Sequence, residues 1–238
     1  MIIKRKKTFI IAAFLSIFLL LLIASYMLNP QPVHAMMVGF SSMEEHDEQV
    51  YIEPDIPENI ENMILNDLKQ SRERVSEFFE DLQSTPTILF VKSPKALEMY
   101  AQKNRTGQTY YTYWGSYIVM GPDGFSADVM AHELMHSELR NRLKNKDKVP
   151  VWFDEGLATL VDHRYVRNEN VSLDNINDLS SRDTFYEPLL VKENYEIAHS
   201  EVARWIGIVG KSGLAELIEG LNKGGAFNEL YSAIESRR

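Results

Sequence analysis

Two histidines and two glutamates carry the chemistry this sequence can offer. His132-Glu133-Leu134-Met135-His136 places two imidazoles four residues apart with a carboxylate between them. On a helix, residues four apart share a face, so both rings can reach one metal ion. Glu133 adjoins His132 and can point at a water on that metal without being a ligand. A catalytic zinc keeps three protein ligands and one open position, so a third ligand is needed. Glu155 can supply it. Eighteen residues separate it from His136, and two helices in an antiparallel hairpin would bring its carboxylate back beside the rings. A zinc held there lowers the pKa of its water from 15.7 to about 7. Glu133 is placed to take that proton as hydroxide attacks a carbonyl, and to pass it to a leaving amine.

The first ligand helix starts near Ser126 and ends around Lys144. Val129, Met130, Leu134, Met135, Leu139 and Leu143 cover much of it, so it is largely buried. Burying two histidines and a glutamate without a partner would be costly, which favours a metal. Residues 145–149 are a charged connector. Pro150 then opens a second ligand helix, Val151 to Val161. Upstream, Ile60, Met63, Ile64, Leu68, Val75, Phe78, Phe79 and Leu82 recur at helical spacing, predicting a helix from Pro57 to Leu82. Pro86 to Val91 reads as a short buried strand, and Ser93 to Asn104 as a helix with Pro94 in its first turn. Thr109 to Met120 is aromatic and β-branched, a strand pair bent at Gly115. Gly121 to Gly124 is a turn. Asn168 to Asp183 is a polar loop with a short helical turn. Helices follow at about 188–210, 212–222 and 226–236, punctuated by glycines such as Gly210.

The Trp-Phe-x-Glu-Gly-Leu-Ala setting of Glu155, with His132, Glu133 and His136, resembles the gluzincin metallopeptidases, and within them the peptidase MA-like family related to the zinc aminopeptidases. The resemblance covers roughly residues 85–235 and is strongest over 126–162. It implies zinc, a peptidase-like catalytic domain, and an edge strand along the cleft that pairs with substrate backbone, here Tyr117 to Met120. It also implies a donor for the developing oxyanion. Tyr195 matches the segment where the aminopeptidases keep a catalytic tyrosine. His199, one helical turn later, is the alternative, since thermolysin-like relatives use histidine. The aminopeptidases carry a glutamate before the zinc helix that holds the substrate amino terminus. Ser116 to Pro122 has none, which favours internal cleavage. Thr159 stands where the thermolysin pattern has an aspartate. Asp128, four residues before His132, could accept its free ring N–H, with Asp154 and Asp162 as further options. His34, His46 and His163 have no metal spacing.

The chain of 238 residues suits one globular domain plus an appendage. It has no cysteine, which excludes disulfides and thiolate metal sites. Residues 1–7 form a basic end, and Thr8 to Leu28 runs 21 residues without a charge. That predicts one transmembrane anchor, with a cytoplasmic N-terminus and the domain outside the cytoplasm. The alternative is secretion after cleavage near Ala35. Residues 29–57 read as a linker and 58–238 as the metallopeptidase domain. Residues 1–35 hold four of the 25 basic residues and none of the 34 acidic ones, so the rest carries −13. Such a domain is a poor nucleic-acid binder. The expected whole is α+β: a small sheet with an edge strand beside a zinc-binding helix pair, then a helical C-terminal part, behind one N-terminal transmembrane helix. Its partners are a peptide or protein substrate and the membrane. A second reading is a zinc-containing module that holds a peptide or protein without turnover.

Overall fold

The computed structural model describes residues 16–17, 23–24, 26–101, 106–165 and 176–238. Helix α1 is Pro30–Met36, α2 Glu58–Phe79, α3 Pro94–Tyr100, α4 Ala127–Arg142, α5 Val151–Thr159, α6 Arg182–Phe185, α7 Val191–Asn222 and α8 Phe227–Glu235. The strands are β1 Glu44–Asp47, β2 Val50–Ile52, β3 Thr87–Phe90, β4 Gly107–Thr112 and β5 Gly115–Met120. They form one mixed sheet in the order β1-β2-β3-β5-β4. The three inner strands run parallel, while β1 and β4 pair antiparallel at the edges.

The central strands are apolar on both faces, as strands covered from both sides must be. Ile88, Phe90, Ile118 and Met120 face the main core with α2, α4, α5, α7 and α8. Leu89, Val91 and Val119 alternate to the other face, where α1 and α3 cover them. Helix α4 lies in the main core and packs against α2 and α5; α5 packs in turn on α7, and α7 on α8. Ser126 caps α4, its hydroxyl accepting from Val129 N at 3.4 Å, and Arg140 and Arg142 occupy its last turn, where a helix favours cations. Helix α7 is broken at Gly210, whose φ of 68° and ψ of −179° leave the helical region.

Three expectations are corrected here. Residues 29–57 are not a linker: they contain α1, β1 and β2, and β2 is hydrogen-bonded to β3 inside the sheet. Ala35, the residue of the expected cleavage alternative, is fully buried in α1, within the cluster that packs α1 onto α3. The transmembrane helix, and the anchored, extracytoplasmic placement built on it, are also withdrawn. Among the described residues no helix is long and apolar enough to cross a membrane. The basic end and most of 8–28 lie outside the described residues, as do 102–104 of the helix expected over Ser93 to Asn104 and 168–175 of the polar loop.

Candidate metal centre

Helices α4 and α5 bring three ligand atoms to one point. His132 Nε2 lies 3.1 Å from His136 Nε2 and 3.3 Å from Glu155 Oε2, and His136 Nε2 lies 3.4 Å from the same oxygen. A tetrahedral ion with bonds of about 2.0–2.1 Å sets its ligands roughly 3.3–3.4 Å apart, so the triangle has the size a metal needs. All three residues are buried, and together they could hold a metal ion. Two imidazoles and a carboxylate, with no thiolate, are a nitrogen-oxygen donor set that fits zinc. Burial opposes charge on His136, yet Glu155 and Asp154 outweigh it and hold its pKa well above the ordinary value. Burial likewise pushes Glu155 up, but His136 and His132 hold it well below the usual carboxylate range.

The far nitrogens of both rings face carboxylates, the arrangement that orients metal-binding imidazoles. His136 Nδ1 is 2.8 Å from Asp154 Oδ1, and Arg140 approaches the other Asp154 oxygen at 3.5 Å. His132 Nδ1 is 3.3 Å from Asp162 Oδ2, an electrostatic contact that is not aligned as a hydrogen bond. Arg164 grips both oxygens of Asp162, at 2.8 and 2.6 Å. Burial alone would raise the Asp162 pKa, but the Arg164 hydrogen bonds outweigh it and the value falls to about 2. Asp128 is not the partner of His132: it pairs with Arg74 at 2.5 Å.

Glu133 stands outside the ligand triangle and lines the same cleft, a space of about 400 Å³. Strand β4 forms one wall. Thr109 Oγ1 donates to Glu133 Oε2 at 2.5 Å. Gly107 lies so close that a Cβ there would sit 2.8 Å from Glu133 Oε1. The strand along the cleft is therefore β4 and not Tyr117 to Met120, which belong to β5. The hairpin turns back at 113–114, leaving β5 between β3 and β4 and the more polar Gly107–Thr112 outside.

Two phenols reach Glu155. Tyr195, on α7, donates to Oε2 at 2.9 Å, and Tyr186 donates to Oε1. Burial, and then the Glu155 charge, push both phenols far above their ordinary pKa, so both are neutral donors. Asn194 ties the segment bearing Tyr186 to α7, donating to Phe185 O at 2.8 Å and to Thr184 O at 3.2 Å. Gly156 lets α5 and α7 approach closely: a Cβ there would meet Ala198 O at 2.5 Å. His199 turns away from the cleft. Its Nδ1 lies 2.9 Å from Thr159 Oγ1, and burial lowers its pKa. His46 pairs with Glu61 at 3.1 Å, remote from the site.

Tyr186, and the roles of Asp154 and Asp162 over Asp128, were not legible from spacing. The one available signal was that Asp154 immediately precedes Glu155 and so shares its helix. No protein-family model matches the chain, and no curated protein or solved structure matches it either. What the arrangement offers is a three-ligand pocket open to a cleft, a separate carboxylate beside it, and two phenol donors.

Proposed function

We propose that the chain is a zinc metallopeptidase of the gluzincin type, resembling the peptidase MA-like family, that hydrolyses peptide bonds within chains. The observation that carries this reading is the convergence of His132, His136 and Glu155 with a non-ligand Glu133 in the same cleft. A binding module would have no need of that carboxylate. His132, His136 and Glu155 would hold the zinc, which would supply a Lewis acid able to make water nucleophilic near neutral pH and to polarise a carbonyl.

Glu133 accepts the proton of the attacking water as the new carbon–oxygen bond forms. It then delivers that proton to the amine nitrogen as the carbon–nitrogen bond breaks, leaving a carboxylate and an amine. Thr109 and Gly107 fix where its carboxylate stands. Tyr195 turns its hydroxyl from Glu155 to the carbonyl oxygen as negative charge develops there. Tyr186 keeps its own hydrogen bond to Glu155 meanwhile, so the ligand stays oriented. The cleft strand, Gly107–Thr112, carries no carboxylate for a free amino terminus, which supports internal cleavage.

The test is a peptide library incubated with the zinc-loaded chain and with Glu133→Gln. Cleavage by the parent and loss of at least roughly a hundredfold in the variant, with zinc retained, is the expected result. Equal cleavage by both would refute the mechanism, and no cleavage by the parent would refute the activity.

A further inference from the structure

Two guanidinium groups line the cleft, and they are not equivalent. Arg140 is engaged. It stacks 4.2 Å from the centre of the Tyr111 ring and approaches Asp154, the carboxylate that orients His136. Arg182 is exposed and, among the described residues, forms no ion pair. Its guanidinium carbon stands 5.3 Å from the centre of the Tyr186 ring, whose hydroxyl contacts Glu155. The carboxylates of the cleft are already committed, Glu155 to the metal ligands, Asp154 to His136 and Glu133 to Thr109. Arg182 is thus a cation of the cleft with no carboxylate paired to it among the described residues, and it can meet an anion on a ligand.

We propose that Arg182 binds a carboxylate of the substrate, carried by an acidic side chain. The inference rests on the peptidase reading and names a substrate class for it: peptides with an acidic group close to the cleaved bond. Arginine suits the task because its planar fork matches a carboxylate with two parallel hydrogen bonds. Tyr186 sets the spacing, since the ring beneath the guanidinium is the one anchored on Glu155. Arg182 and the ligand residues line the same cleft, so the carboxylate it meets belongs to a residue near the cleaved bond. A basic residue at that place is repelled, and a neutral one gains nothing.

The test is calorimetric titration of the zinc-loaded full chain carrying Glu133→Gln, which holds peptides without turning them over. The probes are a blocked neutral hexapeptide of alanine and glycine, the same peptide with glutamate at each position in turn, and the same peptide with a free C-terminus. At least one acidic probe binds about fivefold or more tightly than the neutral one, the upper range of an exposed pair. The advantage shrinks as salt rises. Arg182→Gln brings the ratio to about one, and Arg182→Lys keeps part of it. A gain from an internal glutamate supports the assignment; a gain confined to the free terminus overturns it. Equal binding of all probes, or a ratio that survives Arg182→Gln, overturns the assignment. Hydrolysis of the same peptides by the parent chain separates the two ideas. Cleavage without preference removes only the carboxylate site, and a preference without cleavage removes only the peptidase.

Discussion

Replacing Gly107 by alanine adds one methyl group at the point where β4 meets Glu133. The new carbon would lie 2.8 Å from Glu133 Oε1, 3.0 Å from Cγ and 3.1 Å from Cδ. Ordinary contacts between such atoms are about 3.5–4.0 Å, so the carboxyl group must retreat by roughly 0.5–1 Å. What obstructs is the end of a flexible side chain, so the fold can yield there. Overpacking against the smaller entropy of the unfolded chain leaves a net stability change within about 1–2 kcal/mol. The catalytic cost is larger, because a misplacement of about 1 Å can cost 10²-fold in rate. Gly107→Ala should therefore keep its zinc and its circular dichroism and lose roughly 30- to 100-fold in kcat/KM on a cleaved library peptide. The loss should vanish in the Glu133→Gln background, where there is no base left to displace. A variant within about threefold of the parent, or one that loses equally in both backgrounds, would refute the claim that β4 positions the base.

His132→Ala and Glu155→Ala should each lose stoichiometric zinc by elemental analysis; full retention in both removes the site. Tyr195→Phe should lower kcat by about 10²–10³ with little change in KM. His199→Ala should do less, and the reverse order transfers the donor role to His199. Gly156→Ala would press a carbon to 2.5 Å from Ala198 O and 2.6 Å from Val202 Cγ2. It should lower the denaturation midpoint, equivalent to about 1–3 kcal/mol, and reduce zinc occupancy; an unchanged midpoint would show that the two helices are not in such close contact.

The parts of the site that lie on one helix could be read from the chain, because helical periodicity converts spacing into direction. His132, Glu133 and His136 sit where a 3.6-residue repeat puts them, and Pro150 marks the start of the helix that carries Glu155. What depends on contacts between distant elements could not. Asp128 has helical spacing to His132, yet Arg74 on α2 claims it, while Asp162 reaches the ring from beyond the end of α5. Tyr186 arrives from a short segment after 176–185, with no periodicity to announce it. The strand pair was legible from its aromatic and β-branched residues. Which strand lay outermost was decided by the parallel pairing of β3 with β5, a long-range choice. Residues 29–57 looked like a linker because prolines and acidic residues dominate them, but Val50 and Ile52 were enough to bind β2 to the sheet.

The order in which the chain leaves the ribosome gives the Tyr195–Glu155 hydrogen bond a further meaning. The two residues are 40 positions apart, and the α7 face that receives Gly156 is further on still. At about 5–20 residues per second, Glu155 is made roughly 2–8 s before its phenol partner. Through that interval the nascent chain holds all three ligands without the helix that seats the third. On the peptidase reading proposed above, the site is therefore complete only once the C-terminal helices exist.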